Sequence, residues 1–171
     1  MPGRRSLLIP MLAILAACGP QTPAPGEAEA AAAPAALSSA AVRDSVVSVF
    51  TRLNEAATRK DVDAFMALWE RSDSLVYVRS GLTFMGWEAI AANHTEGFSV
   101  PNPWSFETGD VHVRVLGPDA AVGTVFTRTS RPRWFILTAA LAPTADGWKI
   151  IQAHGSYAED GMDPFGQAET R

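Results

Sequence analysis

Asp146-Gly147-Trp148-Lys149-Ile150-Ile151-Gln152-Ala153-His154-Gly155-Ser156 lies near the end of the chain, and its reading decides the fold. Asp-Gly favours the positive backbone angles of a tight hairpin turn, so it predicts one strand before it and another after it. The preceding run is Trp134 to Ala142, and the following one is Trp148 to Tyr157. Working back, Ala120 to Thr129 ends at Arg131-Pro132-Arg133, and Phe106 to Leu116 ends at the turn Gly117-Pro118-Asp119. Four strand-like runs joined by short turns are expected to be neighbours in one antiparallel sheet.

The first half has a different period. Val42, Val46, Val49, Phe50, Leu53 and Ala57 form one apolar face of a helix that Ser38 or Ser39 can cap and Arg59-Lys60 can end. Asp61 has the character of an N-cap for a second, shorter helix carrying Val62, Phe65, Leu68 and Trp69. Leu75 to Arg79 reads as a strand that reverses at Ser80-Gly81 into Leu82 to Met85. A third helix follows Gly86, with Trp87, Ile90, Ala91 and His94 on one face and Gly97 as its stop. Ser99 to Ser105, with two prolines, is a loop. Helices followed by a meander predict an α+β fold with helices on one face of the sheet.

Composition narrows the function classes. The chain has 171 residues, 47% hydrophobic and 19% charged, with a net charge of −4, which suits one ordinary domain. It lacks a run of Lys and Arg, so nucleic acid is not an expected partner, and Arg131 and Arg133 read as a solvated hairpin tip. There is no Gly-rich phosphate loop, paired-cysteine motif or His-x-x-x-His, so neither a cofactor nor a metal is expected. The single cysteine, Cys18, cannot form an internal disulfide.

Cys18 has another use. Arg4 and Arg5 precede an apolar stretch, Leu7 to Ala17, that is too short to cross a bilayer and contains Pro10. It ends Leu15-Ala16-Ala17-Cys18, which resembles the lipobox of bacterial lipoproteins. That resemblance implies cleavage before Cys18 and acylation of its thiol, so that the membrane is met through the lipid anchor alone. Gly19 after the cysteine, by resemblance to sorting in enteric bacteria, implies the outer membrane facing the periplasm. Residues 18–37, rich in Ala and Pro, are expected to be a disordered tether.

Several stretches together are similar to the SnoaL-like domains of the nuclear transport factor 2-like superfamily. They are Arg59-Lys60-Asp61-Val62-Asp63-Ala64-Phe65-Met66-Ala67-Leu68-Trp69, Leu75-Val76-Tyr77-Val78, Gly86-Trp87-Glu88-Ala89-Ile90, and the terminal stretch with its His-x-Ser. The resemblance implies a cone: a curved, antiparallel or mixed sheet wrapped around three helices from the N-terminal half, with a pocket at the open end. It also implies homodimerisation through the outer sheet face. The expected organisation is a signal peptide at 1–17, the acylated tether at 18–37, the SnoaL-like domain at 38–158 and a flexible tail at 159–171.

His154 and Ser156, two apart on one strand, share a face and are a candidate pocket pair, with His154 as a candidate acid/base. His94 shares a helical face with Trp87 and Ile90 and is the second candidate acid/base. Trp69, Tyr77, Trp87 and Trp104 are candidate aromatic walls for a small, partly apolar ligand. Val111, Val113 and Val115 should face the helices, leaving His112 and Arg114 outside. Glu107 and Asp110 read as solvated. Glu70 and Asp73 are the nearest carboxylate candidates, which a helix end and a turn explain equally well. Three readings of function follow. They are ligand binding without chemistry, an isomerase- or hydrolase-type enzyme using His154 or His94, and a dimeric assembly module without ligand. The first is favoured because no carboxylate–His or Ser–His–Asp constellation can be placed.

Overall fold

In the computed structural model, α1 (Ser39–Arg59) begins at Ser38, whose hydroxyl accepts from the Ala41 amide at 3.2 Å. It ends at Lys60, in the left-handed region with φ 55°, whose amide closes back on the carbonyls of Ala56 and Ala57. Asp61 caps α2 (Val62–Met66) through its carboxylate and the Ala64 amide, 2.9 Å apart. The second helix is shorter than expected: Leu68 and Trp69 fall beyond it, and Trp69 makes a parallel bridge to Ile150. The description covers residues 37–101, 103–131, 133–159, 162, 164 and 165. The expected signal peptide, Cys18, the tether as far as residue 36 and most of the expected tail lie outside it.

β1 (Val76–Arg79) and β2 (Leu82–Met85) are joined by Ser80 and Gly81, both at positive φ, as a two-residue hairpin of this twist requires. α3 (Trp87–Ser99) runs through Gly97 rather than stopping there. The meander follows as β3 (Phe106–Gly117), β4 (Ala120–Thr129), β5 (Trp134–Thr144) and β6 (Gly147–Tyr157). The six strands form one sheet in the order β2-β1-β6-β5-β4-β3. All its pairings are antiparallel except β1 with β6, which is parallel. This is the α+β fold expected: a curved mixed sheet with the three helices of the N-terminal half against one face.

The core lies between that face and α1. Val42, Val46 and Phe50 on the helix meet Ala121, Val125, Leu137, Ala139 and Leu141 on the sheet, all buried. Val111, Val113 and Val115 pack against this core, while His112 and Arg114 are exposed, as their alternation predicts. Glu107 and Asp110 are exposed too.

β6 carries one irregularity that decides the site. Leu141 pairs with Ile150 but Ala140 pairs with Gln152, so Ile151 is an extra residue in the ladder. One extra residue inverts the alternation beyond it. Trp148 and Ile150 face the core before the bulge, and Ala153 and Gly155 face it afterwards.

Candidate functional site

A cleft opens where α1 ends, against the later half of α3 and the adjoining ends of the sheet strands. Its outer chamber, about 170 Å³, is walled by residues including Lys60, Arg79, Asn93, His94, Trp104 and Tyr157. An inner chamber of about 70 Å³ shares Arg79, His94 and Tyr157 and adds Asn54, Phe65, Trp69, Tyr77 and Phe135.

His94 occupies the centre. It lies one helical turn beyond Ile90, and its Nδ1–H donates to the Ile90 carbonyl at 2.8 Å, since a carbonyl can only accept. The Nε2 atom therefore keeps its lone pair. The ring packs 4.4 Å from Phe65, stacks with Tyr77 at 5.9 Å and meets the edge of Phe98 at 5.7 Å. Burial pushes the imidazole pKa down from 6.5 to about 4, against the pull of the Ile90 carbonyl and with help from Arg79. His94 is neutral at pH 7.

Polar groups around it come from four elements. Arg79 is two residues after Tyr77 on β1, so both point to the same face. Its guanidinium donates to Asn93 Oδ1 at 3.0 Å and lies 5.8 Å from the Phe84 ring centre. Asn54 on α1 donates to Thr108 and Thr127 Oγ1 at 2.9 and 3.0 Å, tying the helix to β3 and β4. The Trp69 indole N–H is buried without a hydrogen-bond partner. Burial raises the Tyr77 hydroxyl pKa strongly, and that of Tyr157 too, where three arginines oppose it. Both are neutral donors at physiological pH. Among the described residues no three His, Cys, Asp or Glu side chains gather as a metal site would require.

Of the residues expected at the site, the fold brings together Trp69, Tyr77, His94 and Trp104. His154 and Ser156 are not among them. The bulge at Ile151 turns both to the outer face, where His154 is exposed between Thr138 of β5 and Val78 of β1. Trp87 is also elsewhere. It opens α3 seven residues before His94, about 10 Å along the axis. Its indole N–H reaches the Met66 carbonyl at 3.4 Å and Arg71 lies over its ring, beside a separate surface depression that also holds Glu70. Asp73 is exposed and lines neither chamber. Arg79 and Tyr157 were not anticipated. Arg79 could have been found from its two-residue spacing to Tyr77. Tyr157 needed the bulge, which the Ile150-Ile151 doublet hints at.

Helices on the concave face of a mixed sheet, with the cleft at one end, define the nuclear transport factor 2-like architecture, and the solved structures agree. An NTF2-like family protein from Streptomyces avermitilis is 20% identical with a TM-score of 0.63, covering 71% of this chain and 99% of its own. An NTF2-like protein of unknown function from Pseudomonas putida is 20% identical with a TM-score of 0.62, covering 77% and 95%. A cystatin-like fold protein from Burkholderia xenovorans is 25% identical with a TM-score of 0.59, covering 68% and 92%. No curated protein matches the chain. Residues 46–160 match the SnoaL-like domain, and the chain belongs to that family.

Proposed function

We propose that this domain binds a small, partly apolar molecule in the cleft around His94 and does no chemistry on it. The observation that carries the reading is the wall itself. Aromatic rings from α2, β1 and α3 surround a neutral imidazole that lines both chambers. Catalysis by His94 is less well supported, because an imidazole with a pKa of about 4 is a weak base at neutral pH. Among the described residues no carboxylate lines either chamber to assist it.

Amide-resolved NMR with phenylacetamide as probe tests this reading. Shifts should gather on Ala57, Gly97, Phe98 and Phe106, and Ala57→Phe, which fills both chambers, should remove them. Shifts scattered over the surface, or none, would refute the reading.

The same proposal places the domain on a membrane. Residues Leu15 to Cys18 support acylation of Cys18 and display at the outer membrane facing the periplasm. Labelled palmitate should enter the wild-type chain and not Cys18→Ala. Homodimerisation completes the reading: Val78, Phe126 and Ile136 are half-buried apolar side chains on the outer sheet face. Sedimentation should give a dimer that Ile136→Glu dissociates, and a wild-type monomer would count against that interface.

A further inference from the structure

We infer that the ligand of this cleft is an anion, a small carboxylate on an apolar body, and that Arg79 is the residue selecting it. The inference rests on the binding reading above and adds the ligand's charge. The chain is acidic, with a net charge of −4, yet among the described residues the cleft is lined by Lys60 and Arg79 and by no Asp or Glu. Two more cations stand at its rim. Arg131 stacks 4.5 Å over Trp104, and Arg133 lies 5.2 Å over Tyr157, both rings belonging to the outer chamber. Positive charge is thus gathered around one concave, aromatic surface, where low-dielectric walls concentrate its field.

Arg79 is the member that the fold leaves uncompensated. It lines both chambers, and its side-chain partners are one amide oxygen of Asn93 and the face of Phe84. Among the described residues no carboxylate forms an ion pair with Arg79. A half-buried guanidinium beside apolar walls is costly unless an anion meets it. Its planar fork suits the two oxygens of a carboxylate. The rings of Phe65, Phe98 and Tyr157 would hold an apolar body behind such a group, and the neutral Tyr77 and Tyr157 hydroxyls add donors without adding negative charge. Arg79 is a specificity residue here, deciding which ligand is held.

The test pairs a charged probe with its neutral isostere. The full-length chain, purified in detergent, is titrated with phenylacetate and with phenylacetamide by amide-resolved NMR. Wild type should bind the acid at least about tenfold tighter than the amide, a difference of about 1.4 kcal/mol. Arg79→Gln should bring the two within about twofold by weakening the acid far more than the amide. Arg79→Lys keeps the charge and should keep most of the preference, and it decides the matter should Arg79→Gln fail to fold. If the amide binds wild type as tightly as the acid, or the preference survives Arg79→Gln, the anionic ligand is refuted while the cleft remains a binding site. If neither probe moves a cleft resonance, both readings fall.

Discussion

One sheet and one helix make two unlike ends in this domain. Where α1 begins, Val42, Val46 and Phe50 have no exposed surface and press onto β4 so closely that position 123 has room only for glycine. Where α1 ends, the rings of Phe65, Tyr77 and Phe98 stand 4.4 to 5.9 Å from that of His94 around two adjoining chambers. The sheet carries ladder irregularities at Ile151 and between Thr108 and Val111, and side-chain volume adds to the difference they make. Small residues under large ones close the first end. Flat rings and long polar chains hold the second end open. Stability should therefore reside mainly in the first end and selectivity in the second.

The strongest way to break that division is Phe50→Ala. Removing a fully buried phenylalanine typically costs about 3–5 kcal/mol, because the cavity left behind only partly collapses. The denaturant midpoint should fall accordingly, while probe affinity among the surviving folded molecules stays within about twofold. A loss of affinity matching the loss of stability would show that the two ends are one cooperative unit.

At the open end the largest effect depends on pH. The His94 pKa is lower in the folded chain, about 4, than the ordinary 6.5, so the unfolded state takes up the proton first as pH falls. The stability of the neutral form is complete above about pH 6.5 and is lost between there and pH 4. At about 1.4 kcal/mol per unit, the full loss is roughly 3–4 kcal/mol. His94→Gln, which can still donate to the Ile90 carbonyl but does not titrate, should lose less stability than wild type between pH 7 and pH 4. Equal losses in wild type and His94→Gln, read from urea midpoints at both pH values, would mean that His94 is not held neutral by burial.

Two glycines then compare the ends directly. A Cβ at Gly123 would lie 2.4 Å from Phe50 Cε2, and one at Gly155 would lie 2.4 Å from Phe135 Cζ. The overlap is the same, but the obstacles differ. Phe50 is enclosed, whereas Phe135 is half-buried beside the inner chamber and has space to swing into. Gly123→Ala should cost about 1–3 kcal/mol, as overpacking does. Gly155→Ala should cost less than Gly123→Ala and instead weaken probe binding. Equal thermal shifts for the two would remove the contrast.

The sequence shows most of the fold and half of the site, and the division has a cause. Element order, the tight turns and the inward valines of β3 depend on neighbours in the chain, so Ser80-Gly81, Gly117-Pro118-Asp119 and Asp146-Gly147 announce themselves. The helical face that carries Ile90 also carries His94. Trp87 shares that face but lies two turns away, and periodicity alone says nothing about distance along an axis. Arg79 escapes notice because a lone arginine on a four-residue strand reads as solvated until the sheet puts Asn93 and Phe84 beside it.

The smallest effect is expected where the sequence pointed most strongly. His154 is exposed on the outer face, so His154→Ala should change stability by no more than about 0.5 kcal/mol and leave probe affinity within twofold. Its neighbour Ala153 is 3% exposed, and Ala153→Leu should be destabilising by about 1–3 kcal/mol through overpacking. Strict alternation from Trp148 and Ile150 would predict the reverse, with residue 154 inside and residue 153 outside. The pair of variants therefore measures the bulge at Ile151. Were Ala153→Leu silent and His154→Ala costly, the register of β6 would be wrong by one residue, and Tyr157 would leave the cleft with it.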